Sequence, residues 1–199
     1  MTRTRHPNRI RTSLFYILTE GEKTEPNYFQ SSMFRNDRTF PKINPGKCPG
    51  NDANGLKQWA ESIMKTDFVK GDRIWIVLDK DENDLQKLHN LKEWCEENDV
   101  GLAFSNPCFE LWLLIHFNYV DSSMNKEDLI AKLTQNLREQ YDKSKDYSHI
   151  FSEKIETAVR NARTLREHNG QSGKRCNQNP FTNIDMLIAD LMKFLKESV

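Results

Sequence analysis

The chain has 199 residues, with 29 lysine and arginine residues against 29 aspartate and glutamate residues, so its formal net charge is zero. This length is enough for one sizeable hydrophobic core, and the balanced charge means that any nucleic-acid-binding surface must be local. No stretch approaches the ~20 consecutive apolar residues of a membrane-spanning helix, and the arginine-rich N-terminus lacks the apolar segment of a secretory signal. We therefore expect a cytoplasmic protein that has no contact with a membrane.

The cysteines are scattered along the chain. None of the four (Cys48, Cys95, Cys108 and Cys176) belongs to a C-x-x-C pair, which argues against a zinc ribbon and against a disulfide framework. We expect reduced and mostly buried thiols.

The first half of the chain alternates apolar strands with amphipathic helices. A nearly continuous apolar run at 13–18 predicts a strand buried on both faces, and Pro26 is typical of the first turn of a helix. A short strand is expected at 40–43, and an apolar stripe from Leu56 to Met64 predicts a helix. The run at 73–78 predicts the second strongly apolar strand, and it is followed by a helix at about 85–97 and a short strand at 101–104.

Beyond residue 106 the chain is predicted to be almost wholly helical. Asn125 with Asp128 three residues later indicates a helix start, and an apolar stripe from Ile184 to Leu195 indicates the last helix. The alternating order favours an α/β fold with a mostly parallel sheet flanked by helices and a helical C-terminal part. The predicted divisions are a basic N-terminal arm at 1–12, an α/β domain at 13–120, and a helical part at 121–199 packed on the same domain.

Acidic residues follow each of the two most apolar predicted strands. Glu20 comes directly after the first strand, and Asp79 and Asp81 come after the other. Ligands bind outside the carboxyl ends of strands in open α/β sheets, and carboxylate oxygens are the ligands that Mg²⁺ prefers. Strand ends also carry acidic residues as helix caps, so either acidic cluster alone would be weak evidence. The prediction of a metal site rests on finding acidic residues after both apolar strands. We expect Mg²⁺, or Mn²⁺ in its place, and a phosphate-containing substrate.

A third polar segment follows the strand predicted at 101–104. It places Glu110 one turn into a helix, where it is a candidate for a further metal ligand or a general base. His116 lies further along among apolar residues at helical spacing, which favours a structural role over a catalytic one. The sequence has neither a P-loop nor a G-x-S-x-G motif, which argues against a P-loop NTPase and a serine hydrolase.

Together these motifs resemble a Toprim domain and, more narrowly, the RloB-like family. The resemblance rests on four blocks in the family's order: TEGEKTEPNYF at 19–29, LDKD at 78–81, SNPCFELW at 105–112 with HF at 116–117, and NPFT at 179–182. It implies that Glu20, Asp79 and Asp81 hold magnesium for breaking or making phosphodiester bonds. It also implies a bacterial or archaeal nuclease of restriction or phage-defence systems, including abortive infection, and an ATPase partner protein.

The working hypothesis is a nuclease of DNA or RNA in which Glu20, Asp79 and Asp81 bind one or two Mg²⁺ for hydrolysis of a phosphodiester. Lys23 is expected to stabilise the transition state. Sequence-independent contacts to the nucleic-acid backbone are assigned to six basic residues: Lys143, Lys145, Arg160, Arg163, Lys174 and Arg175.

Two alternatives remain open. One is a non-catalytic module that binds nucleic acid or a partner protein, and the other is an enzyme acting on a small phosphate ester. The roles of Glu22 and Glu25 are also left open.

Overall fold

The computed structural model describes residues 12–36, 39–45, 50, 52–80, 84–171 and 179–197. Residues 1–11 of the predicted basic arm lie outside these ranges. So do three of the predicted site residues and two of the cysteines: Asp81, Lys174, Arg175, Cys48 and Cys176.

Five strands form one mostly parallel sheet in the order β2-β1-β3-β4-β5. The strands are β1 (Phe15–Thr19), β2 (Lys42–Ile43), β3 (Arg73–Asp79), β4 (Gly101–Asn106) and β5 (Phe181–Thr182). β1 pairs in parallel with β2 and β3, and β3 pairs in parallel with β4, whereas β5 runs antiparallel to β4. The predicted α/β class with a mostly parallel sheet is confirmed.

Helices cover both faces of this sheet. They are α1 (Thr24–Phe29), α2 (Ala53–Thr66), α3 (Leu85–Glu97), α4 (Glu110–Leu114), α5 (Lys126–Leu137), α6 (Ser148–Ser152), α7 (Ile155–Gln171) and α8 (Ile184–Glu197). The predicted start of α5 is confirmed, because the Asn125 side chain accepts a hydrogen bond from the main-chain N–H of Asp128 at 2.8 Å. Among the described residues, no helix has the length and apolar character needed to cross a bilayer.

Strand β1 is buried on both faces, as its apolar run predicts, because alternate side chains enter two different cores. Phe15 and Ile17 belong to a core formed with α1 and α4 to α8. Tyr16 and Leu18 belong to a second core formed with α2 and α3. Each such side chain stabilises the fold by roughly 1.5–3 kcal/mol, so the sheet is held firmly between its two helical layers.

Strand β5 departs from the prediction that the chain beyond residue 106 is almost wholly helical. Phe181 stacks on Phe104 of β4, with ring centroids 4.9 Å apart. Just after β5, Asn183 accepts a hydrogen bond from the N–H of Phe104 at 2.7 Å and donates one to the carbonyl of Leu102 at 2.9 Å. A two-residue strand is too short to show an alternating pattern. Its pairing nevertheless attaches the C-terminal part to the sheet.

The two cysteines within the described ranges, Cys95 and Cys108, are free and buried. This agrees with the expectation of reduced thiols for these two positions.

Candidate functional site

Glu20 and Asp79 meet at the carboxyl edge of the sheet. Glu20 directly follows β1, and its N–H donates to the carbonyl of Val77 on β3 at 3.1 Å. In return, the N–H of Asp79 donates to Oε2 of Glu20 at 3.1 Å. Because β1 and β3 are neighbouring parallel strands, their ends place these two acids side by side.

Both acids line a cleft of about 400 Å³. Phe109 forms part of its wall, and the other lining residues are mostly charged. The five carboxylates are Glu20, Glu22, Glu25, Asp79 and Glu110, and the three lysines are Lys23, Lys126 and Lys143. The cleft therefore combines ligands suited to a hard cation with side chains that attract phosphate.

Glu25 is buried in the wall of the cleft, with 4% of its surface exposed. Its carboxylate lies directly against Gly21, because a Cβ atom at position 21 would overlap Oε2 of Glu25. Burial is the main reason that the pKa of Glu25 is raised to about 7, and the charges of Glu110 and Glu20 act in the same direction. Glu25 therefore changes its charge near neutral pH.

The carboxyl group of Asp79 has a raised pKa for similar reasons. Burial is the largest cause, followed by the charges of Glu25, Glu110 and Glu20, while the charge of Lys126 acts in the opposite direction. The cleft therefore holds carboxylates that repel one another when ionised, and a bound divalent cation would relieve this repulsion.

Glu110, the first residue of α4, differs from Glu25 and Asp79 because it has partners that favour its charge. Its Oε1 lies 3.1 Å from Nζ of Lys143 and 3.5 Å from the hydroxyl of Tyr141. Burial raises the pKa of Glu110, but a hydrogen bond from the Cys108 thiol and the charge of Lys143 outweigh it, so the pKa is lower than usual. Because a lowered pKa makes a carboxylate a weaker proton acceptor, Glu110 is less suited than Glu25 to act as a general base.

Two of the three lysines in the cleft come from the helical C-terminal part. Lys143, predicted to contact a nucleic-acid backbone, lies in the segment between α5 and α6 and pairs with Glu110. Lys126 is the first residue of α5 and is half-buried. Lys126 was not among the residues predicted to line a site. Asn125 and Asp128 predict that a helix starts here, but they do not show that this helix starts beside the cleft.

The other described basic residues assigned to nucleic acid lie elsewhere. Lys145 pairs with Glu139 at 3.0 Å, and Arg160 and Arg163 are exposed on α7. Within the part of the chain that the structure describes, none of these three lines the cleft.

His116 lies in an aromatic core and is 1% exposed. Its Nδ1 is 2.9 Å from the carbonyl oxygen of Trp112, and its Nε2 is 3.1 Å from the hydroxyl of Tyr28. Because a carbonyl can only accept, Nδ1 carries the proton and Nε2 accepts from Tyr28. Burial lowers the pKa of His116 to about 4. His116 is therefore a neutral structural histidine, in line with its spacing in the sequence.

The donor set of the cleft fits Mg²⁺. Among the described residues, no three His, Cys, Asp or Glu side chains are already arranged as a metal site. However, proteins usually bind Mg²⁺ through one or two carboxylates, with water and substrate phosphate as the remaining ligands. Glu20 and Asp79 meet this requirement, and the predicted third ligand, Asp81, lies outside the described ranges.

Comparison with known proteins identifies one family. The family model described as RloB-like protein matches residues 15–191, a range that includes every residue lining the cleft. No curated protein and no solved structure matches the chain.

Proposed function

Since the chain belongs to the RloB-like family, whose model matches most of its length, we propose that it is a Mg²⁺-dependent phosphodiesterase, a nuclease of DNA or RNA. The observation that carries this proposal is the meeting of Glu20 and Asp79 at the ends of neighbouring strands, in a cleft that also contains three lysines. Metal-dependent phosphoryl transfer uses carboxylates that bind the cation and positive charge near the phosphate, and the residues lining this cleft are of both kinds.

Glu20 and Asp79 would hold the cation. The hydrogen bond from the main-chain N–H of Asp79 holds one oxygen of Glu20 at the end of β3, where the side chain of Asp79 also begins. When bound, Mg²⁺ supplies Lewis acidity towards the phosphoryl oxygens and makes a bound water more acidic.

Glu25 is the proposed proton acceptor for the attacking water. Its pKa of about 7 lies closer to neutral pH than that of an ordinary glutamate. Proton transfer is most efficient when the pKa of the catalytic group is close to the working pH. Lys23 lies at the mouth of the cleft, just before α1, and is proposed to stabilise the negative charge of the transition state.

The family resemblance adds two further proposals, a role in restriction or phage defence and an ATPase partner protein. A location in the cytoplasm is proposed from the sequence itself. Co-purification of the tagged protein from its native host would test the ATPase partner.

A cleavage assay tests the proposed activity. Purified protein is incubated with single- and double-stranded DNA and RNA and with a small phosphodiester, in Mg²⁺, Mn²⁺ or EDTA. Glu20→Gln is compared with Glu96→Gln, a matched change on the exposed surface of α3. We expect metal-dependent cleavage that Glu20→Gln abolishes and Glu96→Gln retains. Binding of nucleic acid without cleavage by the wild type would favour the non-catalytic module.

A further inference from the structure

The NPFT motif at 179–182 holds the main chain just before α5. Oδ1 of Asn179 accepts a hydrogen bond from the N–H of Met124 at 3.1 Å, and Nδ2 of Asn179 donates to the carbonyl of Met124 at 2.6 Å. One amide group therefore binds both main-chain groups of a residue 55 positions away. Such a two-point contact fixes the orientation of the peptide as well as its position.

The motif is itself firmly supported. The carbonyl of Pro180 accepts a hydrogen bond from Asn169 of α7 at 3.0 Å. The hydroxyl oxygen of Thr182 lies 2.9 Å from that of Ser105 on β4, and both residues are buried. Asn179 is thus attached to the sheet and to α7, so it can hold Met124 in a constant position.

Met124 precedes Lys126 by two residues. Between them, Asn125 caps α5 by accepting from the N–H of Asp128. The start of α5 is therefore held on one side by Asn179 and on the other by its own cap. Lys126 follows this cap directly and lines the cleft.

Lys126 lines the cleft together with Glu20 and Asp79, the two residues proposed to hold the cation, and is half-buried there. A substrate phosphate in this cleft would share it with the Lys126 ammonium group. The attraction between them is strengthened by the partial burial of Lys126, because water and salt screen a half-buried charge less than an exposed one.

We propose that Lys126 binds a non-bridging oxygen of the substrate phosphate and that Asn179 is the residue that positions it. This inference rests on the proposed function, because it requires a phosphodiester in the cleft. The NPFT motif at 179–182, which has no other part in the proposed function, thereby acquires a role in binding substrate.

Steady-state hydrolysis of bis(4-nitrophenyl) phosphate in Mg²⁺ tests this pair. Lys126→Met is expected to raise KM by about 10- to 100-fold, the effect of losing one charge-assisted hydrogen bond. The value of kcat should change much less, because the contact forms with substrate as well as with the transition state. Asn179→Ala should raise KM in the same way but by less. The double variant should be no worse than Lys126→Met alone.

Two matched controls separate positioning from general damage. Lys132→Met removes an exposed lysine from the same helix, outside the described lining of the cleft. Asn36→Ala removes another amide that joins two main-chain groups, the N–H of Thr39 and the carbonyl of Leu195. Both controls should keep the wild-type KM. A measurement independent of activity is hydrogen exchange, in which Asn179→Ala should speed exchange of the amides at 124–129 and Asn36→Ala should not.

Different results overturn different parts of the inference. Wild-type KM in Lys126→Met would exclude the phosphate contact, and wild-type exchange at 124–129 in Asn179→Ala would exclude the positioning role. If the increases in KM of Lys126→Met and Asn179→Ala multiply in the double variant, Asn179 acts through a residue other than Lys126. If the wild type cleaves no phosphodiester at all, the proposed function fails and the inference fails with it.

Discussion

Replacing Glu25 with glutamine removes a buried charge from the cleft and should stabilise the protein at alkaline pH. The pKa of Glu25 is raised from 4.5 to about 7 in the folded protein. The folded state therefore binds this proton more tightly than the unfolded state does. The contribution of Glu25 to wild-type stability is therefore most favourable below about pH 4.5, falls as the pH rises towards 7, and then levels off about 3 kcal/mol lower. Glutamine carries no charge at any of these pH values.

Urea unfolding in EDTA measures this difference. At about pH 8, Glu25→Gln should be more stable than the wild type by up to about 3 kcal/mol, and at about pH 4 the two proteins should agree to within about 0.5 kcal/mol. Glu153→Gln, an exposed substitution, serves as the control and should have little effect at either pH. Saturating Mg²⁺ should stabilise the wild type through binding to its native state. A variant that is less stable at pH 8, or a difference that is the same at both pH values, would refute the reasoning.

Three further substitutions test contacts that the structure shows beside the cleft, in the aromatic core and at β4. Gly21→Ala places a methyl group where the Glu25 carboxylate lies and should reduce cleavage at least about tenfold in the metal-dependent assay; unchanged kcat would contradict the proposed role of Glu25. Tyr28→Phe leaves Nε2 of buried His116 without its donor. It should lower the free energy of unfolding by about 1–3 kcal/mol in urea, and a variant as stable as the wild type would refute this. Asn183→Ala removes the two side-chain hydrogen bonds to β4 and should lower the free energy of unfolding by about 1–3 kcal/mol, with faster hydrogen exchange of the Phe104 amide as the second readout.

Much of the fold could be predicted because its strongest local patterns agree with the final packing. The apolar runs of β1 and β3 are long enough to specify buried strands, and α3 spans its predicted range. Strand β5 could not be predicted, because two residues become a strand only through their pairing with Ser105 and Asn106.

The candidate site shows the same division between local and tertiary information. Glu20 and Asp79 were placed at one edge because both directly follow apolar strands, and parallel strands bring such positions together. The burial of Glu25 depends on the turn at Gly21 and on the helices that cover it. The only hint of this burial in the sequence is a glycine, Gly21, four residues before Glu25, and such a spacing is weak evidence by itself. Lys126 reaches the cleft only because the helical part packs against this edge of the sheet.

Hydrolysis is proposed to depend on a divalent cation held by Glu20 and Asp79. Titration with Mn²⁺, followed by the loss of the free-ion signal in electron paramagnetic resonance, tests this without knowledge of the natural substrate. We expect the wild type to bind Mn²⁺ and Mg²⁺ to displace it. The Glu20→Gln, Asp79→Asn double variant should lose this binding while remaining folded. Equal binding of Mn²⁺ by the wild type and the folded double variant would contradict this proposal.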